Sequence, residues 1–159
     1  MNINAIAMMR LSKNMQLCYA SFFQDSIIIT FIEKSTEKEL RKEIKRLIKE
    51  NKIKLFKRGE FAEKYWEDFT NGFMEKSKEE LMAQNSETMA LRYSDIETIK
   101  VKPYRTHTTK AHETPPIAGQ VWFVCCEETY HFNHKYKKED ENLTMLSQVF
   151  THKYVFRER

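Results

Sequence analysis

The residues of this 159-residue chain with chemical capability are five histidines, three cysteines and one dense run of lysine and arginine. His131-x-x-His134 has the residue type of a metal-ligand pair, but it falls in a stretch that reads as a strand. At that spacing along a strand the two rings face opposite sides of the sheet, the wrong geometry for one ion. His107 and His112 fall in a loop, whereas a tetrahedral zinc site needs three or four firmly held ligands. His112-Glu113 lacks the following histidine of a metalloprotease helix, and Pro115-Pro116 forbids that helix. Cys125 and Cys126 are adjacent and point to opposite faces of a strand. With Cys18 they read as reduced thiols. We therefore expect no metal and no cofactor. Only 3 glycines are present, so a glycine-rich phosphate loop is not expected. There is no Gly-x-Ser-x-Gly, P-loop or Cys–His nucleophile context either. No catalytic residue is nominated, and the expectation is a protein that is not an enzyme.

The basic run is a different kind of signal. Lys38, Arg41, Lys42, Lys45, Arg46, Lys49, Lys52, Lys54, Lys57 and Arg58 stand against Glu39, Glu43 and Glu50, so the segment carries +7 while the whole chain carries +4. Lys38, Arg41, Lys42, Lys45, Lys49 and Lys52 share one helical face. An anion meets them together, as nucleic-acid phosphate or as lipid headgroups. The candidate anion-binding residues are thus Lys38, Arg41, Lys42, Lys45, Lys49, Lys57 and Arg58. The competing reading is a solvated helix face laced with i,i+4 pairs. Phe61, Tyr65, Trp66, Phe69 and Phe73 follow at helical spacing and read as a helix packed on a sheet rather than a stacking platform.

The elements that position these residues follow from periodicity. Met15 to Phe23 and the β-branched run Ser26 to Glu33 read as an antiparallel pair around Gln24-Asp25. Thr36-x-x-Glu39 is a capping box, opening a helix to about Asn51 with Leu40, Ile44, Leu47 and Ile48 as its apolar stripe. Lys52 to Lys57 reads as a short edge strand. A second helix covers Glu60 to Phe73, ended by Asn71-Gly72. Ser77-x-x-Glu80 caps a short helix with Leu81 and Met82 inward, closed by Asn85. Thr88 to Tyr93 and Glu97 to Lys102 are strands, with Ile96, Ile99 and Val101 inside. Tyr104 to Gly119 is a long loop. Gln120 to Cys126 and Thr129 to Tyr136 form a hairpin around Glu127-Glu128. Lys138 to Phe150 is a final helix with Leu143, Leu146, Val149 and Phe150 as its apolar side, docking by Leu143, Leu146 and Phe150. The first nine residues are only weakly apolar and are broken by Arg10, Lys13 and Asn14. No run approaches a membrane span, and the expected location is the cytoplasm.

The phrase Arg92-Tyr93-Ser94-Asp95-Ile96-Glu97-Thr98-Ile99-Lys100-Val101 resembles one common in bacterial pleckstrin-homology-like domains. There a strand ends, a Ser-Asp turn follows, and the isoleucine drops into a barrel. The preceding Glu79 to Glu87 looks like a helical insertion seen in that family. Trp122 to Lys135 is similar to its last two strands, with Glu127-Glu128 where the family has a turn glycine. The resemblance runs from Lys76 to Phe150, about half the chain. It implies binding more often than catalysis and has no fixed active site to transfer.

The sequence thus points to one α+β domain over 1–159. It is expected to be a pleckstrin-homology-like antiparallel barrel with a helical insertion over about 36–86 and a C-terminal helix. The expected function is a non-catalytic interaction module of bacterial or phage type, binding a protein or an anionic surface. The alternative is nucleic-acid binding through the basic helix and Lys52 to Gly59. An unrecognised enzyme is a second alternative.

Overall fold

The computed structural model describes residues 4–84, 87–106 and 116–158. The histidines His107 and His112, Glu113, Pro115 and the expected helix end at Asn85 lie outside the described residues. The chain is α+β. Strands β1 (Ala7–Lys13), β2 (Gln16–Phe22) and β3 (Ser26–Phe31) lead into helices α1 (Lys34–Glu50), α2 (Arg58–Met74) and α3 (Lys78–Met82). Strands β4 (Met89–Arg92), β5 (Ile96–Lys102), β6 (Gly119–Cys125) and β7 (Thr129–His134) follow, then α4 (Glu141–Val149) and β8 (Tyr154–Phe156). The strands form one open sheet in the order β4-β3-β2-β1-β7-β6-β5-β8, antiparallel except for the β5–β8 pair.

The continuous apolar runs of β2 and β3 have a direct cause: both faces of these strands are buried. Cys18, Ala20, Phe22, Ile27 and Ile29 point into one core, with Ile99, Val101, Val121, Phe123 and Phe132 from the other half of the sheet. Leu143, Leu146 and Phe150 close that core from α4. The alternate residues Tyr19, Ile28 and Ile32 form a second core with Phe73 of α2 and Leu81 of α3. Tyr19 stacks on Phe73 at 5.0 Å between ring centroids, and Phe69 sits 5.2 Å from Phe73. Those contacts carry α2 past Asn71-Gly72 to Met74, where the sequence suggested a stop.

Further readings are corrected or extended. First, the N-terminal residues include a strand, β1, paired along its length with β2 and at Ser12 with Asn133 of β7. Its signal is hidden because Met9 and Leu11 enter one core while Met8 enters the other. The β1–β2 turn also lacks glycine: Asn14 and Met15 adopt φ of 51° and 65°. Second, Thr36 is not a cap. The helix starts at Lys34, because the Ile32 N–H bonds the Leu17 carbonyl at 2.9 Å and fixes where the chain leaves the sheet. Third, Lys52 to Lys57 is not a strand. The Ile53 N–H reaches the Ile48 carbonyl at 3.0 Å and the Lys52 N–H reaches that of Lys49 at 3.3 Å. With Lys52 at φ 51° this is a Schellman reversal, followed by a 3-10 turn over Leu55–Lys57. Fourth, Met82 is exposed while Leu81 is buried. The final helix also starts later than expected, where the Asp140 carboxylate accepts from the Asn142 N–H at 2.8 Å. The tail beyond it adds β8 alongside β5.

Other readings hold. Ser77 caps α3 by accepting from the Glu80 N–H. Ile96, Ile99 and Val101 are buried, and β6 and β7 form the expected hairpin.

The β1–β2 turn stores strain. A two-residue turn with both φ positive favours Asn-Gly, and Met15 pays a left-handed penalty while lying 92% exposed. Met15→Gly should raise stability by about 1 kcal/mol, read as a higher urea midpoint at unchanged slope. Gly119 faces the opposite demand. A Cβ there falls 2.2 Å from Cε1 of the His134 ring, its cross-strand partner. Gly119→Ala should cost roughly 1–3 kcal/mol in the same measurement, and part of that cost should disappear when His134 is also replaced by Ala.

Candidate functional site

The basic residues sit on a helical hairpin made by α1 and α2. At about 100° per residue, Lys38, Lys42, Lys45 and Lys49 fall within an arc of about 60° on α1, and all four are exposed. Ile44 lies on the other side, buried, as is Trp66 of α2. Lys34, Glu37, Lys38, Arg41, Lys42 and Lys45 line a shallow surface groove.

The helix's own acids are distributed unevenly among these cations. Arg46 takes two of them, with Glu50 at 2.6 Å and Glu43 on the same guanidinium. Those bonds hold the Glu43 carboxyl below its usual range. Arg41 bonds Glu37 at 2.8 Å and lies over the Trp66 ring at 5.9 Å. Lys42 has a long 3.9 Å contact with Glu39. Among the described residues Lys38, Lys45 and Lys49 have no ion pair. The face is therefore narrower than the composition suggested: the two arginines balance the acids, and a lysine row is left over. Exposed pairs of this kind add only about 0.3–0.5 kcal/mol each.

Lys57 and Arg58 are not on that row. Lys57 belongs to the 3-10 turn and Arg58 opens α2. Lys57 lies 6.0 Å from the centre of the Phe56 ring, and the Arg58 Nε donates to the Ile53 carbonyl at 3.3 Å. Between the two groups stand Leu55 and Phe56, 78% and 75% exposed. The sequence reading placed this pair in an edge strand and missed its exposure. The available signal was a pair of adjacent large apolar residues between cations, in phase with neither neighbouring helix.

The other chemistry-bearing residues go elsewhere. His131 stacks on Trp122 at 4.7 Å on the outer face of the β6–β7 hairpin, with Lys102 over the same indole. His134 is buried at the strand end, stacked on Tyr136, with its Nδ1 accepting the Tyr136 N–H at 3.0 Å. The Tyr136 hydroxyl in turn accepts the Arg10 N–H at 2.7 Å, and burial pushes its ionisation up to about 12. Cys18 is buried and its thiol is pushed up to about 12 by that burial, while exposed Cys126 donates to Glu97 at 3.4 Å. Among the described residues no three His, Cys, Asp or Glu side chains cluster to hold a metal ion. No described helix is long and apolar enough to cross a membrane.

A comparison with protein-family models, with curated proteins and with solved structures finds no match for the chain.

Burial holds the His134 imidazole below its ordinary 6.5, against the opposing pull of the Lys102 and Gln120 carbonyls and Asp140. His131 is lowered more by burial than by the charge of Lys13. The unfolded chain therefore takes up these protons first as pH falls, so stability is full above 6.5 and declines below it. Urea unfolding from about pH 8 to about pH 5 should show that decline. His134→Gln should make it shallower.

Proposed function

We propose that this chain is a non-catalytic interaction module in which a pleckstrin-homology-like sheet and closing helix carry a basic helical hairpin that docks on an anionic surface. One observation carries the reading: Lys38, Lys45 and Lys49 share an exposed face and have no ion pair among the described residues, while the acids of the helix are bonded by Arg41, Lys42 and Arg46. A face built only for solvation gains nothing from segregating its charges in this way. An unpaired row concentrates positive potential along one line and attracts a polyanion at long range. The pleckstrin-homology-like assignment is supported by the Tyr93-Ser94-Asp95 corner, by Ile96 entering the core beyond it, and by α4 covering that core. The row lies on the part of the chain that this likeness does not include, so the scaffold and the binding element are separate proposals.

Nucleic-acid phosphate is the second anionic partner such a row fits. Heparin chromatography tests the shared chemistry. The wild-type chain should be retained at low salt and released steeply as salt rises. Lys38→Glu with Lys45→Glu should flow through, with a melting temperature close to wild type because both side chains are solvated. Wild-type protein that is not retained at low salt overturns the basic-face reading. A double variant retained like wild type moves the affinity to another element, with the basic tail from Lys153 as the next residues to reverse.

A further inference from the structure

We infer that the corner between α1 and α2 is a membrane-interface anchor, in which Leu55 and Phe56 enter an anionic bilayer while the surrounding cations meet its headgroups. This rests on the anionic-surface reading and names the surface. From Lys49 to Glu60 every residue except Ile53 is exposed, so the corner projects into solvent. At its apex stand two adjacent large apolar side chains, each about three-quarters exposed. Scattered exposed apolar residues are ordinary, but an adjacent pair at a projecting apex is not accounted for by the core. Lys49, Lys52, Lys54, Lys57 and Arg58 flank the pair. Of the two carboxylates in the stretch, Glu50 is already bonded to Arg46.

That arrangement matches a bilayer interface layer by layer: an apolar tip for the acyl boundary and a collar of cations for anionic headgroups. A base-stacking site has use for Phe56 but none for Leu55, which has no π face. The corner is also held in shape before any partner arrives. The Schellman bonds fix its first half, and the Lys57 N–H bonds the Lys54 carbonyl at 2.9 Å to close the 3-10 turn. Little ordering is then left to oppose insertion.

Co-sedimentation with vesicles tests this on the full chain. One set is neutral phosphatidylcholine and the other carries about one third phosphatidylglycerol. Wild-type protein should sediment with the anionic set and stay in solution with the neutral one. Leu55→Ser with Phe56→Ser should weaken that binding roughly tenfold or more. The same variant should keep its melting temperature and its heparin retention, since neither side chain is buried. Heparin retention without vesicle binding overturns the anchor and leaves the basic face standing. Vesicle binding indifferent to the double serine variant also overturns it, assigning adsorption to the α1 lysines alone. Binding that depends on Leu55 and Phe56 but goes to a DNA duplex rather than vesicles overturns it in favour of nucleic acid. Failure to bind either heparin or vesicles overturns both readings.

Discussion

Three residues, Tyr93 to Asp95, carry the chain from β4 to β5, strands that stand six places apart in the hydrogen-bonded order. In a flat sheet that separation is about 29 Å at the usual strand spacing. Four Cα steps from Arg92 to Ile96 reach about 15 Å at most. The sheet must therefore curl until its far edges approach, and Tyr93 is where they meet. Its N–H bonds the Asp25 carbonyl at 3.0 Å, its hydroxyl bonds the Phe23 carbonyl, and its ring meets Phe150 edge-on at 4.8 Å. Lys153 reaches the Tyr93 carbonyl at 2.9 Å from the segment that leads into β8. One corner thus ties together the β2–β3 turn, the end of α4 and the last strand.

The curl has an energetic consequence for the whole molecule. It makes one face of the sheet concave, and the side chains of both halves of the chain converge there into a single core closed by α4. The other face of β1–β3 would be left as an exposed apolar surface. Helices α2 and α3 cover it, with Phe69 and Phe73 from the aromatic stripe of α2 packed into this second core. The insertion between β3 and β4 is therefore part of the fold's own stability and not only an appendage. Helices α1 and α2 also pack against each other, with Ile44 and Trp66 buried, and the outer side of α1 faces solvent. The basic row lies on that outer side, and Leu55 and Phe56 stand at the exposed corner that joins the two helices.

That division separates the chemistry from the core. Among the described residues, three of the histidines and cysteines are used structurally: His134 fills the space that a side chain at Gly119 would need, His131 lies against Trp122, and Cys18 packs inside. The residues on which the proposed binding rests are instead lysines and two apolar side chains on a preformed corner. The proposed surface would act by charge and apolar burial, on a corner shaped by backbone hydrogen bonds rather than by a cavity.

The sequence by itself determined the elements whose signals are local. The alternations around Ile96, Ile99 and Val101, the β6–β7 hairpin, the Ser77 cap and the apolar side of α4 each depend on neighbours within a few residues, and each was legible. The lysine row was legible for the same reason, since helical spacing alone places Lys38, Lys42, Lys45 and Lys49 together. Tertiary structure decided the rest. β1 was hidden because its residues divide between two cores, which erases the single alternation expected of a half-buried strand. The start of α1 moved from Thr36 to Lys34 because a bond to Leu17 fixed the exit from the sheet. The stretch from Lys52 to Lys57 has partial strand periodicity, but a reversal that bonds back into α1 left it no strand partner. Which lysines remain unpaired, and that Leu55 and Phe56 are uncovered, depended on side-chain partners and on tertiary packing, and no local pattern contains either.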